Sequence, residues 1–545
     1  MASGNGTTDC RVDQPGYNRA MSSPRGLGTV VVLLLLAGTL WGVTHRDPWD
    51  PDETRYLQVS REMLETGNPM FLTFNGEAYT HKPPLFFWIL APSMALLGPT
   101  ALAGAIPSIL GWLLLGYATS RLARAADLPV QAMEWGSVLV MTALLPALLT
   151  GFCRMDLLFA AWCTLALERL VRLAGHDDRR DHLLLWVWIG LGVLTKGPLI
   201  LAFLFLPPLL QGRRGLTLLG RAFRGPGPLL GLAMVAAWLV PAGLTGGREW
   251  VETVVIHQSA GRTVASFAHR EPWWYHLAVV PLTLLPWSIL VLPGMVAVSA
   301  QPHALSRGGR LLPTHFLVGI LFLSLLSGKT LLYPLPLFPA ACLVAVWWML
   351  RNPDGGVQRA AIAGAALVLL LVAAGLALAV APRPDVRLGT ASTTVLAASL
   401  GLPALVGLWL AFRRLTGHAA GALAVAVPLF VVLGLTQLIG PANRLLSLAP
   451  IGEAYNRIDP PQNGDGLVWS HLNPGYIFHT GRHFRLLTEP SALKAALEAG
   501  RGIVIGVKDA RRLRDATGLT WEVSARLPYR HTEILVITAP PLAGP

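Results

Sequence analysis

The chain has 545 residues, 53% of them hydrophobic and only 13% charged, far below the ~25% of a soluble domain. Its apolar residues recur in blocks of about 20, enough to span hydrocarbon, which excludes a soluble globular protein and predicts a polytopic membrane protein. The net charge of +13 does not point to a nucleic-acid partner, because the arginines sit in short loops between apolar blocks, where they fix orientation.

Residues 1–25 are polar, carry Arg11, Arg19 and Arg25, and read as a cytoplasmic tail without a cleavable signal. The apolar run that follows, to Thr44, suits an uncleaved signal anchor. A first outer loop, 46–100, contains the charged segment DPDETRYLQVSREMLETGNPMFLTFNGEAYTHKPP. Charges at the mouth of a membrane domain are costly and mark chemistry or transport. Asp52 and Glu53 open an amphipathic helix whose packed face is Tyr56, Val59, Ser60, Met63 and Leu64. Asp52 alone could be a helix cap, but a cap leaves Asp50 and Glu53 unexplained. The segment 85–98 is too short to span and reads as an interfacial or re-entrant helix.

Further spans are expected at about 101–120, 131–150, 155–172, 183–195, 197–212, 226–245, 276–299, 312–327, 331–350, 360–381, 391–412 and 419–440. With the first, that makes about 13 in a membrane domain over 26–450. Every span threaded inward ends on arginine, which places the C-terminus outside. A second large outer loop covers 246–275. From 451 to 545 short β-like runs (GLVWSH, GIVIGV, EILVITA) alternate with helix-like ones, predicting a small α/β domain on the outer face. Cys10, Cys153, Cys163 and Cys342 have no paired or metal-type spacing and read as unpaired thiols.

Of 43 basic residues only Lys82, Lys196, Lys329, Lys494 and Lys508 are lysine. The first three fall at outer span junctions, where the orientation rule disfavours cations. An ammonium there suits a phosphate; the plainer reading is snorkelling to the headgroups. Asp156 opens a span, with Arg154 two residues before it, and a structural Arg154–Asp156 pair is the plain alternative. The second loop carries His257, Arg262, His269 and Arg270, then Trp273, Trp274 and Tyr275, which fit an interfacial aromatic belt. Arg262 could clamp an anion, and His81 with His257 could bind a divalent metal, although no metal motif supports it.

Together these residues suit one outer-facing site. Asp52, Glu53 or Asp156 would take a proton from an acceptor hydroxyl. Lys82, Arg55, Arg262 and Lys329 would neutralise a departing phosphate. No nucleotide-binding motif is present, which favours a lipid-linked sugar donor.

The run PDETRYLQVSREMLETGNPMFLTFNGEAYTHKPPLFFW resembles the first outer loop of the lipid A aminoarabinose transferases, and more broadly the dolichyl-phosphate-mannose protein mannosyltransferase-like families of the GT-C class. RMDLLF, LTKGP, HREPWWYHL and GKTLLYPLPLFPA continue the resemblance in order through about the first 340 residues. It implies a mainly α, polytopic GT-C fold and an inverting glycosyltransferase of the bacterial inner membrane with its site facing the periplasm. The donor would be a polyprenyl-phosphate sugar and the acceptor lipid A or another glycan or protein, with no cofactor required. It also implies Asp52 and Asp156 as catalytic acids, Lys82, Arg55 and Arg262 on the donor phosphate, and Tyr333 in the carrier-lipid groove. His81 stands where some aminoarabinose transferases have glutamate, a departure that bears on any family metal site. The rivals are a protein O-glycosyltransferase of the same class and a polytopic lipid or sugar transporter; charges gathered at one face without an internal repeat favour the enzyme.

Overall fold

The computed structural model describes residues 24–255, 271–351, 355–379, 390–530 and 532–540. It is a helical membrane bundle topped at one end by a small mixed-sheet domain. α1 (Arg25–Thr44) is the first span. α2 (Asp52–Thr66) is amphipathic and ends where Gly67 turns left-handed at φ 65°. The hairpin of β1 (Thr73–Phe74) and β2 (Glu77–Ala78) and the short apolar α3 (Leu85–Leu97) complete the first loop. Then come α4 (Ala101–Ala125), α5 (Val130–Thr142), α6 (Leu144–Leu149), α7 (Asp156–Gly175), α8 (Arg179–Lys196), α9 (Leu199–Leu209), α10 (Arg213–Ala222) and α11 (Gly227–Glu252).

Two expected spans are broken. The 131–150 segment splits into α5 and α6 at Ala143, which is extended (ψ 145°). The 276–299 segment splits into Tyr275–Thr283 and Ser288–Ala300, bent by 114°. Pro286, which has no N–H to continue a helix, lies in that second break. The breaks face each other and share their polar groups: Leu144 N donates to Leu285 O (2.9 Å) and Trp287 Nε1 to Thr142 Oγ1 (3.0 Å). Irregular backbone at membrane depth survives only when protein satisfies it in this way. Among the described residues six helices are long and apolar enough to cross a bilayer alone, or seven with the bent pair taken as one span. The thirteen expected spans exceed that number because several helices, such as α9, are short, while α7 carries Asp156, Glu168, Arg169 and Arg172.

Close helix approach depends on glycine. A Cβ on Gly38 would meet Val432 of the Thr416–Leu446 helix at 2.2 Å, and one on Gly42 would meet Leu435 at 2.8 Å, so both glycines let α1 lie close against that helix. A Cβ on Gly111 of α4 would sit 2.5 Å from Leu158 N, which presses the start of α7 onto α4.

The C-terminal sheet has order β4-β3-β5-β7-β6, with β3 (Gly466–Trp469) parallel to β4 (Phe484–Leu487) and β5 (Ile503–Gly506). β7 (Thr532–Thr538) is antiparallel to β5 and to β6 (Glu522–Tyr529). This sheet docks on the first loop. Asn75 and Gly76 both have positive φ, as a tight hairpin turn requires. Asn75 exchanges hydrogen bonds with the Phe484 backbone (2.9 and 2.8 Å), and the buried Glu62 carboxylate receives Asn75 N at 2.7 Å. Asp50 is pressed against the turn at Gly475, accepts from Thr54 (2.6 Å), and its second oxygen has no partner among the described residues.

Burial pushes the Asp50 carboxyl up to about 7. The folded chain therefore holds a proton that the unfolded chain loses near pH 4 (roughly), so this stability contribution is complete at low pH and is lost as pH rises through about 7. In thermal melts, wild type loses stability relative to Asp50→Asn between about pH 4 and 7 and the curves run parallel above that; curves parallel throughout would contradict this. Gly111→Ala destabilises by ~1–3 kcal/mol through overpacking at α7, whereas Gly220→Ala, which faces open space, does not; the midpoint of thermal unfolding reads both.

Candidate active site at the mouth of the bundle

The site is assembled where α2 and α7 begin and α8 ends. Asp52, in the first turn of α2, receives Arg154 Nη2 on Oδ2 at 2.7 Å and Arg55 Nη1 on Oδ1 at 3.3 Å. Its side chain keeps 27% of its surface exposed, so a substrate hydroxyl can reach it. Asp156, in the first turn of α7, is buried and bonds Lys196 Nζ from the end of α8 at 2.5 Å. Lys196 also lies over the rings of Tyr333 (5.1 Å) and Phe159 (5.6 Å). The Arg154 charge acts on both carboxylates, and Lys82 lies within electrostatic reach of Asp156. Tyr56 and Tyr79 are buried beside this cluster, and burial holds the Tyr56 hydroxyl well above its usual pKa, so it stays neutral. Asp52, Arg55, Lys82, Asp156 and Tyr333 thus converge, together with Arg154 and Lys196.

Glu53 is placed differently. Its carboxylate binds both terminal nitrogens of Arg46 (2.6 and 2.8 Å) and the backbone amides of Trp49 (2.8 Å) and Cys153 (2.7 Å). Arg46 also reaches the Gly151 carbonyl. With side-chain exposures of 1% and 5%, this pair is sealed from substrate and knots the first loop to the turn before α7. Lys329 is also withdrawn: its buried ammonium donates to Glu271 O (3.0 Å) and Leu326 O (2.5 Å). His81 is exposed and packs edge-on against Tyr79 at 5.4 Å. His257 and Arg262 lie outside the described residues. Among the described residues no group of three His, Cys, Asp or Glu is placed to hold a metal ion.

The Arg154–Asp156 pair weighed as the plain alternative does not form; two crossed pairs, Arg154–Asp52 and Lys196–Asp156, take its place. The signal for Lys196 was present in its position at a span junction. Tyr56 carried no signal beyond its place on the packed face of α2.

The family described as dolichyl-phosphate-mannose-protein mannosyltransferase matches residues 81–243. An undecaprenyl phosphate-alpha-4-amino-4-deoxy-L-arabinose arabinosyl transferase of Pseudomonas fluorescens is 30% identical over 311 residues, covering 54% of this chain and 55% of the relative. One from Pectobacterium carotovorum is 28% identical over 327 residues, 58% of each chain. The chain thus spans little more than half the length of the curated relatives it matches. The crystal structure of ArnT from Cupriavidus metallidurans bound to undecaprenyl phosphate superimposes with TM-score 0.77 at 19% identity, covering 96% of this chain and 100% of that one. The resemblance noted in the sequence holds, and the chain has that GT-C fold.

Replacing Glu53 with Gln leaves Arg46 charged and buried without its partner. Breaking such a pair costs ~3–5 kcal/mol. The expected outcome is a large drop in thermal midpoint, partly restored by an apolar double replacement, Arg46→Met with Glu53→Leu; an unchanged midpoint for Glu53→Gln would refute the knot.

Proposed function

We propose that the chain is an inverting glycosyltransferase that moves a sugar from a polyprenyl-phosphate donor to a hydroxyl of a lipid A-type or other envelope acceptor. The observation that carries this reading is the meeting of two carboxylates from distant loops, each with its own cation, at one mouth of a membrane bundle. A lipid-linked phosphate sits at headgroup level, so both the charges and the apolar helices beside them have a use. The arginines at the opposite end of the bundle support a reading in which that end is cytoplasmic and the site faces the periplasm from the bacterial inner membrane.

In the proposed step, the Asp52 carboxylate takes the proton of the acceptor hydroxyl. The acceptor oxygen bonds to the anomeric carbon as the carbon–phosphate oxygen bond breaks, and the electron pair leaves on the polyprenyl phosphate. Arg154 orients the Asp52 carboxylate. Lys82, Arg55 and Arg262 receive the phosphate, which departs as an anion and needs no general acid. Asp156 acts on Lys196, holding its ammonium beside Tyr333, where the phosphate end of the carrier lipid would lie. Attack opposite the leaving group inverts the anomeric centre. A protein acceptor is the second reading, favoured by the mannosyltransferase family match over 81–243.

Asp52→Asn in purified protein supplied with polyprenyl-phosphate aminoarabinose and lipid A is expected to lower transfer by ~10²–10⁴-fold while carrier-lipid binding persists. Transfer at the wild-type rate would remove Asp52 as base. Mass spectrometry of lipid A and of envelope glycoproteins from a deletion strain identifies the acceptor by which substituent is missing.

A further inference from the structure

The far end of the bundle holds a second charged feature that glycosyl transfer does not use. A cavity of about 360 Å³ opens between the C-terminal turns of α4 and α7 and the turn at 305–310. Arg124, Arg172, Arg307 and His176 line it, with Asp127 as its sole carboxylate among the described lining residues. Asp156 and Arg172 lie 16 residues apart on α7, which puts the cavity about 24 Å from the candidate active site.

The walls are fixed. Ser306 Oγ donates to Ala126 O (3.0 Å) and receives Gly309 N (3.0 Å), which fastens the 305–310 turn to the end of α4. A Cβ on Gly308 would come within 2.4 Å of Val171 O, so the same turn also presses on α7. The nearby buried Glu168 is already taken by Arg121 (3.2 Å), Arg169 (2.7 Å) and Arg172 Nε (2.5 Å). Arg124 and Arg307 make no ion pair or side-chain hydrogen bond among the described residues.

Basic residues in the last turn of a helix answer its dipole, and arginines at this end set orientation. Those effects account for Arg124 and Arg172 one at a time. They do not require Arg307, from a third segment, to converge on the same cavity, nor that cavity to be nearly free of carboxylate. Guanidinium groups match phosphate oxygens in pairs, and the volume is that of a small-ligand site.

We infer that this cavity binds a phosphate-bearing anion, supplied either as the headgroup of an anionic phospholipid or as a soluble phosphate compound. The headgroup source places the cavity at the membrane surface, and the soluble source needs only its open side.

The test uses the full-length purified chain. One arm compares nanodiscs of phosphatidylcholine alone with nanodiscs that also contain phosphatidylglycerol; the other adds inorganic pyrophosphate to protein in phosphatidylcholine. Thermal midpoint and native mass spectrometry read binding. Arg124→Gln and Arg307→Gln are each expected to weaken retention of the anion roughly tenfold to a hundredfold, and Asp127→Asn to strengthen it. Dependence on Arg124 and Arg307 in the phosphatidylglycerol arm identifies a lipid, and the same dependence in the pyrophosphate arm identifies a soluble ligand. Binding in neither arm, or binding untouched by these substitutions in folded protein, overturns the inference.

Discussion

The Glu53 carboxylate is the constraint on which the site depends. It ties Arg46, just beyond α1, to the start of α2 and to the Cys153 amide before α7. Asp52 is the next residue to Glu53 and Arg154 the next to Cys153, so this buried knot sets the neighbouring pair Asp52–Arg154 in register. A charged pair with almost no solvent access adds little net stability against a well-packed apolar pair. Its value here is geometric, because it fixes where two distant loops meet.

The surrounding fold serves the same end. Gly111 lets α7 start against α4, so Asp156 enters the cluster while buried in protein. Lys196 answers it from the end of α8, and Tyr333 covers the ammonium. The paired breaks at Ala143 and near Pro286 give the bundle irregular backbone that neighbouring helices satisfy. The C-terminal sheet closes over α2 through Asn75 and the buried Glu62.

Hydropathy made the membrane class and the position of most helices legible, because a 20-residue apolar block is a strong local signal. The α2 face showed through its 3.6-residue period, and three of the C-terminal strands through their apolar runs. β4 and β6 were not legible: FRLL is short and half exposed, and β6 is mostly exposed along its length. The helix breaks were hidden because their cause is a neighbour's backbone rather than a local motif. The candidate residues could be picked out by charge against an apolar background, but their pairing could not. Arg154 lies two residues from Asp156 in sequence yet pairs with Asp52, and Glu53 lies beside Asp52 yet belongs to a different network. Adjacent residues on a helix point to different faces, and a helix start separates Arg154 from Asp156, so adjacency along the chain says little about pairing.

The central claim is that Asp52 and Arg154 act as one unit in transfer, and a double-mutant cycle on the transfer rate tests it most directly. Residues that work together lose function together, so Asp52→Asn combined with Arg154→Gln should be no slower than Asp52→Asn alone. If the two losses multiply in folded protein, the residues act separately and the site does not exist in this form.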